Sequence, residues 1–393
     1  MTDKELRGLG PALADYLDRY LFCCAYTQTF AHLGTYVRGL LSDLERKTCE
    51  PIALKAGTPV RSLQEFLRDH VWDFERVKQL HQLHSAELLQ QPDDAHGLGT
   101  IGLIDETSAA KKGDQTPGVQ LDWLTFDEEY GKSPGFVAGL GERELRFVGE
   151  VPRSLSCRAV NRPGNRPQPH RKGCRAEEVV RTASRFRSQS WQVCRLPREV
   201  LPDQVWRVKA ARVWLHSKEG WSAGTYWLIW ASNDETGEEK FFLSNAPEGA
   251  EVETLVRVAF RRWNVEHSFR VAKSELGFTH FEGRNYTALM RHMSLCLVAM
   301  GFVADHTDRL RKDNPEITLE QVCRALRVVS RRWLRRQRGS SDDAYELEVI
   351  DYHQERNRAA RLSKKKRPVL VRDRKKPRPR RRKRQQRSTT AIP

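Results

Sequence analysis

Residues 101–127 read IGLIDETSAAKKGDQTPGVQLDWLTFD, and the fold turns on how this stretch returns on itself. IGLI stops at Asp105 and LDWLTF stops at Asp127. Short apolar runs of β-branched and aromatic residues that end in a turn residue read as buried strands. Between them, Thr107 to Gln120 supplies fourteen residues interrupted by Gly113, Pro117 and Gly118, which reads as loop. A hairpin return would leave Asp127 about 20 Å from Asp105, at about 3.3 Å per residue of strand. An extended loop of this length spans roughly 45 Å, so a parallel return is also possible and would bring both acids to one end of the sheet. Chain length alone leaves both returns open.

Outward from this stretch the periodicity changes. On the N-terminal side, from about Leu9 to Gln91, residues such as Leu13, Tyr16, Leu17 and Tyr20 recur at spacings of three and four, which predicts helices. Within them, EPIALKAGTPVRSLQEFLRDHVWD (50–73) reads as a short helix, a turn at Gly57, Thr58 and Pro59, and a second helix opening near Ser62 with Glu65 completing a capping box. Two short helices about a glycine turn form either a DNA-reading helix-turn-helix or an ordinary helical hairpin. Gln90 to Gly99, with Pro92, two Asp and two Gly, marks a boundary.

On the C-terminal side, Asn161 to Arg175 is rich in Pro, Gly and Arg and reads as an exposed loop. Gln189–Leu196, Val205–His216, Trp221–Ser232 and Glu239–Ser244 alternate apolar and polar residues, as half-buried antiparallel strands do. The six Trp of this block (Trp191, Trp206, Trp214, Trp221, Trp227, Trp230) are expected to pack on the sheet, with base stacking as the alternative. Helical periodicity resumes from Glu251 to about Thr307 and again over Leu319–Arg338. There Val322, Leu326, Val329 and Trp333 form one stripe, and Arg324, Arg327, Arg331 and Arg335 another that faces solvent or phosphate. Leu289 to Ala304, interrupted by Arg291 and His292, reads as too short and too polar to span a bilayer.

Composition agrees with a folded body carrying a cationic tail. The chain has 393 residues and a net charge of +17, yet Arg361 to Arg387 alone holds sixteen Lys or Arg against Asp373, a local +15. That distribution excludes a uniformly basic, histone-like protein and predicts a disordered tail that binds polyanions. Hydrophobic residues make up 39%, so the remainder can bury a core. Eight Cys without a C-x-x-C pair indicate neither zinc nor a disulfide framework, and MTDKELRGLG is charged from its third residue, unlike a signal peptide. A soluble cytoplasmic protein is expected.

Two acids at neighbouring strand ends, joined by a third from a helix, suit two-metal phosphoryl transfer, because Mg²⁺ takes hard carboxylate oxygens. Asp105, Asp127 and Glu266 fit that pattern. The stretch LVRVAFRRWNVEHSFRVAKSELGFTHFEGRNY (255–286) then resembles the C-terminal signature Tyr-x2-Arg-x3-Glu-x6-Lys of bacterial insertion-sequence DDE transposases, with Arg262, Glu266 and Lys273 in its last three positions. The similarity extends to GLIDETSAAKKGDQTPGVQ, WLTFDEEYGKSPGFVAGL, RFVGEVPRS and FLSNAP, covering most of residues 95–305.

The resemblance implies an α/β chain with a ribonuclease-H-like mixed sheet. It implies a helical DNA-binding domain at 1–95, a catalytic domain at 96–310 with a β-rich insertion at about 155–248, C-terminal helices at 311–360 and the tail at 361–393. It makes Asp105, Asp127 and Glu266 the catalytic and metal-binding triad for two Mg²⁺ or Mn²⁺ ions. Arg262, Lys273 and Arg284 become DNA contacts, and the partners become double-stranded DNA and a second copy of the chain, in a bacterial, nucleoid-associated setting. Arg262 and Glu266 are one helical turn apart and could equally form a plain ion pair.

Two departures stand out. Ala259 occupies the signature Tyr position. Asp127 follows Asp105 by only 22 positions, where the family's core places two more strands and a helix. The similarity on both sides of this gap makes the parallel return the expectation, and that return would leave a depleted sheet with an apolar edge. The function implied is transposition by metal-dependent strand cleavage and strand transfer, the alternative being a catalytically inactive DNA-binding remnant of such an enzyme.

Overall fold

The computed structural model describes residues 1–89, 97–104, 121–162, 166–196, 204–338 and 341–365. Five helices open the chain: α1 (Asp3–Asp18), α2 (Thr27–Leu40), α3 (Cys49–Ala56), α4 (Val60–Arg68) and α5 (Phe74–Leu89). Thr2 and Glu5 form a capping box at the start of α1, and Leu9, Leu13, Tyr16 and Leu17 are buried, as their spacing predicts. Helices α3 and α4 do flank a turn in which Gly57 takes the left-handed conformation, φ 65°. The second capping box is not formed. Helix α4 starts at Val60, because Pro59 with φ −55° already presets the first turn, and Glu65 instead accepts from Arg61 Nε at 2.6 Å.

The next elements are β1 (Ile101–Ile104), β2 (Trp123–Phe126), α6 (Glu128–Gly131), α7 (Pro134–Glu142), β3 (Val148–Glu150), β4 (Ser156–Ala159), β5 (Cys174–Arg175), α8 (Ala176–Thr182) and α9 (Ser184–Arg187). Strands β1 and β2 pair in parallel, Ile101 opposite Trp123 and Ile104 opposite Phe126. The hairpin alternative is thereby excluded. A parallel bridge between Leu124 and Phe147, with Leu124 N–H donating to the Arg146 carbonyl at 2.8 Å, sets β3 on the other side of β2.

The block that follows contains β6 (Gln192–Arg195), β7 (Val205–Ser217), β8 (Gly220–Ser232) and β9 (Glu239–Ser244), close to the four runs read from the sequence. Its pairings are antiparallel in the order β3-β9-β8-β7-β4-β5, with β6 also on β7. The result is a mixed sheet, parallel at the β1 end and antiparallel beyond β3. Strand β1 pairs only with β2 among the described residues, and each of its four residues is only partly buried, whereas Leu124, Thr125 and Phe126 of β2 are buried. Strand β1 is thus the less covered of the pair among the described residues.

Helices α10 (Val252–Phe260), α11 (Trp263–Glu275), α12 (Tyr286–Arg311), α13 (Leu319–Arg338) and α14 (Asp342–Lys365) complete the chain. Both sheet faces are covered. Val256, Ala259 and Phe260 of α10 pack with Trp206, Val208, Ile229 and Phe242 on one face, and Val179, Val180 and Phe186 of α8 and α9 pack with Val213, Leu228 and Phe241 on the other. Trp206, Trp214 and Trp221 are buried, while the Trp191 ring lies tilted against Trp230 with centroids 4.7 Å apart, so these rings serve packing.

A third core joins α1–α4 to α12 and α13, cutting across the sequence divisions at 95 and 310. By length and composition α12 could cross a membrane, which corrects the expectation that this segment is too short. It is a core helix nonetheless: 56% of its apolar window is buried, and Arg291 reaches the Leu67 and Trp72 carbonyls at 3.1 and 3.4 Å. On α13, Arg327 is paired with Glu275 and Arg331 with Asp43, so these two members of the arginine stripe hold neighbouring elements. Of the basic tail, residues 366–393 lie outside the described residues.

Candidate active site

Each of the two aspartates follows a strand in the sequence. Asp127 immediately follows Phe126, and Asp105 immediately follows Ile104, its partner in the parallel ladder. Asp105 itself lies outside the described residues. Asp127 caps α6: its Oδ1 accepts from the N–H groups of Glu129 and Tyr130 at 3.1 and 3.2 Å. Such a cap fixes the side chain's direction at the sheet end and relieves two unpaired helix donors.

Between α10 and α11 the helix is interrupted. Arg261 N–H and Arg262 N–H bond three residues back, to the Val258 and Ala259 carbonyls at 3.1 and 3.4 Å, and α11 begins at Trp263. Ala259, at the signature Tyr position, is 3% exposed in the core beneath the sheet. Glu266 lies in the first turn of α11, where a carboxylate is favoured by the helix dipole. Arg262 Nη2 stands 2.7 Å from Glu266 Oε1. The i,i+4 spacing thus brings these two side chains together.

Lys273 is exposed in the last turn of α11, with Nζ 6.0 Å from the Phe269 ring centroid, and Arg284 is exposed ahead of α12. Neither joins the Arg262 and Glu266 pair.

Sequence reasoning passed over Glu150. It ends β3, and Arg262 Nε lies 3.9 Å from its Oε2 while Lys240 Nζ lies 3.0 Å from its Oε1. The signal was the one used for Asp105 and Asp127, a short apolar run (FVG) stopping at an acid. Counting three residues on from the Leu124–Phe147 bridge sets Glu150 level with Asp127 on the adjacent parallel strand. Lys240, from β9, could not be joined to it without knowing the strand order.

Among the described residues no three acidic, His or Cys side chains converge as a metal cluster. The donors at hand, Asp127 and the exposed Glu266, are carboxylates, the ligand type that Mg²⁺ and Mn²⁺ take. The group therefore fits by donor chemistry.

The comparisons with known proteins follow the same lines. The family described as "Transposase DDE domain" matches residues 78–302, more than half of the chain. The chain belongs to the DDE transposases. A second family, "DDE superfamily endonuclease", matches residues 20–123, so the matched region reaches back into the N-terminal helices. No curated protein matches the chain. The mixed sheet with helices on both faces is consistent with a DDE transposase fold, and enzymes of this superfamily typically use divalent metal ions.

Proposed function

We propose that this transposase binds the ends of a mobile DNA element, cleaves a strand to free a 3′-hydroxyl and joins that hydroxyl to target DNA. The observation that carries the reading is the parallel, in-register pairing of β1 with β2, which brings the strand ends before Asp105 and Asp127 side by side. Asp105, Asp127 and Glu266 would hold two Mg²⁺ or Mn²⁺ ions. Ions bound there would activate the attacking water and then the 3′-hydroxyl, without a covalent protein intermediate. Arg262, Lys273 and Arg284 hold the DNA backbone, and a homodimer engages the two element ends.

A second reading, a DNA-binding remnant without catalysis, is favoured by two observations: β1 is only partly covered, and Arg262 occupies the Glu266 carboxylate. Incubating purified protein and Mg²⁺ with a supercoiled plasmid carrying the element's own ends separates the two. Nicking is expected from the wild type. Glu266→Gln should abolish nicking with end binding retained, and Arg262→Ala should weaken binding by about 1–3 kcal/mol, the scale of a lost charged hydrogen bond. Binding without nicking supports the remnant, and equal loss of binding in both variants supports a plain ion pair.

A further inference from the structure

Arg262 stands between two carboxylates of unequal exposure. Its own side chain is 19% exposed, that of Glu150 16% and that of Lys240 22%, whereas Glu266 is 53% exposed. Its ion pairs among the described residues are with Glu150 and Glu266. The charges of Lys240, Glu150, Arg262 and Glu266 alternate in sign, Lys240 is also shared with the half-exposed Glu238 at 3.4 Å, and Lys240, Glu150 and Arg262 are largely shielded from water.

Consider Glu266 leaving this group to bind a cation. Without Glu150, a guanidinium with little water around it, and with Lys240 nearby, would lose its carboxylate partner, so it would keep its grip on Glu266. With Glu150 in place, Arg262 retains a shielded counter-charge when Glu266 departs. Glu150 is itself anchored twice, by Lys240 and by its position on β3, where the backbone of α6 packs directly on the Glu150 carbonyl at Gly131.

We propose that Glu150 is a positioning residue: it holds Arg262 so that the Glu266 carboxylate can leave the guanidinium and take a divalent metal ion. The proposal rests on the reading of Glu266 as a metal ligand. Lys240 opposes it in sign, because it competes with Arg262 for the Glu150 carboxylate.

The test is Mn²⁺ binding to the full-length protein without DNA, followed by electron paramagnetic resonance, in the wild type, Glu150→Gln, Arg262→Gln and the double variant. Glu150→Gln should weaken Mn²⁺ binding about three- to fivefold, the upper end of the scale of a partly screened ion pair. In the Arg262→Gln background the same change should have less than about a twofold effect, since the path through Arg262 is gone. Glu150→Asp should recover part of the loss.

If Glu150→Gln does not fold, Lys240→Gln still decides. It should tighten Mn²⁺ binding in the wild-type background and leave it unchanged beside Arg262→Gln, a pattern that loss of structure does not produce. A Glu150→Gln effect equally large in both backgrounds, or none in either, overturns the role of Glu150 while leaving the metal site standing. Wild-type protein that takes up no Mn²⁺ overturns the reading of Glu266, and the proposal with it.

Discussion

Gly131→Ala is expected to pull apart the junction between the Asp127 turn and β3. A Cβ at Gly131 would lie 1.9 Å from the Glu150 carbonyl oxygen, and 3.0 Å from both the Glu150 carbonyl carbon and Val151 Cγ1. Comfortable heavy-atom contact begins near 3.5 Å, so α6 and β3 must separate by about 1.5 Å. The nearest obstacle is backbone, which no side-chain rotation can clear. Overpacking of this kind costs about 1–3 kcal/mol. The shift also draws Glu129 and Tyr130 N–H away from Asp127, and a lost N-cap costs about 0.5–2 kcal/mol. A combined loss of about 2–4 kcal/mol corresponds to a fall in melting temperature of roughly 2–5 °C for a chain of this length. Thermal unfolding by circular dichroism reads it directly. Gly135→Ala in α7 is the control: nothing lies within 4 Å of its Cβ position, so that variant should match the wild type or gain stability. Equal melting temperatures for Gly131→Ala and the wild type would refute the packing argument and the Asp127 geometry that depends on it.

Asp127 should separate its two roles by substitution. Asp127→Asn keeps a capping acceptor and should preserve stability while losing metal-dependent cleavage, whereas Asp127→Ala should lose both, with about 0.5–2 kcal/mol of stability; equal destabilisation by the two would contradict the cap. Stability should also fall with acid. Burial, reinforced by the nearby His84 and Arg19 charges, pushes the His81 pKa down from 6.5 to about 4, and burial lowers His32, His292 and His306 too. Below pH 6.5 the unfolded chain then binds protons that the folded chain refuses, so stability is lost as pH falls from about 6.5 to about 4, with up to about 3 kcal/mol from His81. A melting temperature that stays flat between pH 7 and pH 5 would count against it. Removing the chain from Arg361 onward should flatten the slope of log affinity for DNA against log salt concentration, and an unchanged slope would place the tail off the DNA.

The elements with strong local signals were legible. IGLI and WLTF could be read because their apolar runs end at turn residues, the four strands of the Trp-rich block because apolar and polar residues alternate, and the parallel return followed from family resemblance with a loop long enough to allow it. Arg262 and Glu266 meet because an i,i+4 pair survives the interruption of the helix at Arg261. What stayed hidden depends on strand order. Glu150 and Lys240 lie on β3 and β9, ninety residues apart, and only their antiparallel pairing brings them together. The Ser62 capping box failed because Pro59 starts α4 earlier than the serine could. The apolarity of α12 could not by itself show that helices from both ends of the chain surround it.

Asp105, Asp127 and Glu266 are proposed to share a pair of metal ions. A crystal structure of the full chain soaked in Mn²⁺, with the ions located by anomalous scattering, tests it most directly. A pair of peaks about 4 Å apart is expected, bounded by the Asp105 and Asp127 carboxylates and reached by Glu266. Carboxylates of Asp105 and Asp127 more than about 8 Å apart, too far to bridge one metal pair, or manganese bound elsewhere, would contradict it and leave the DNA-binding remnant as the reading.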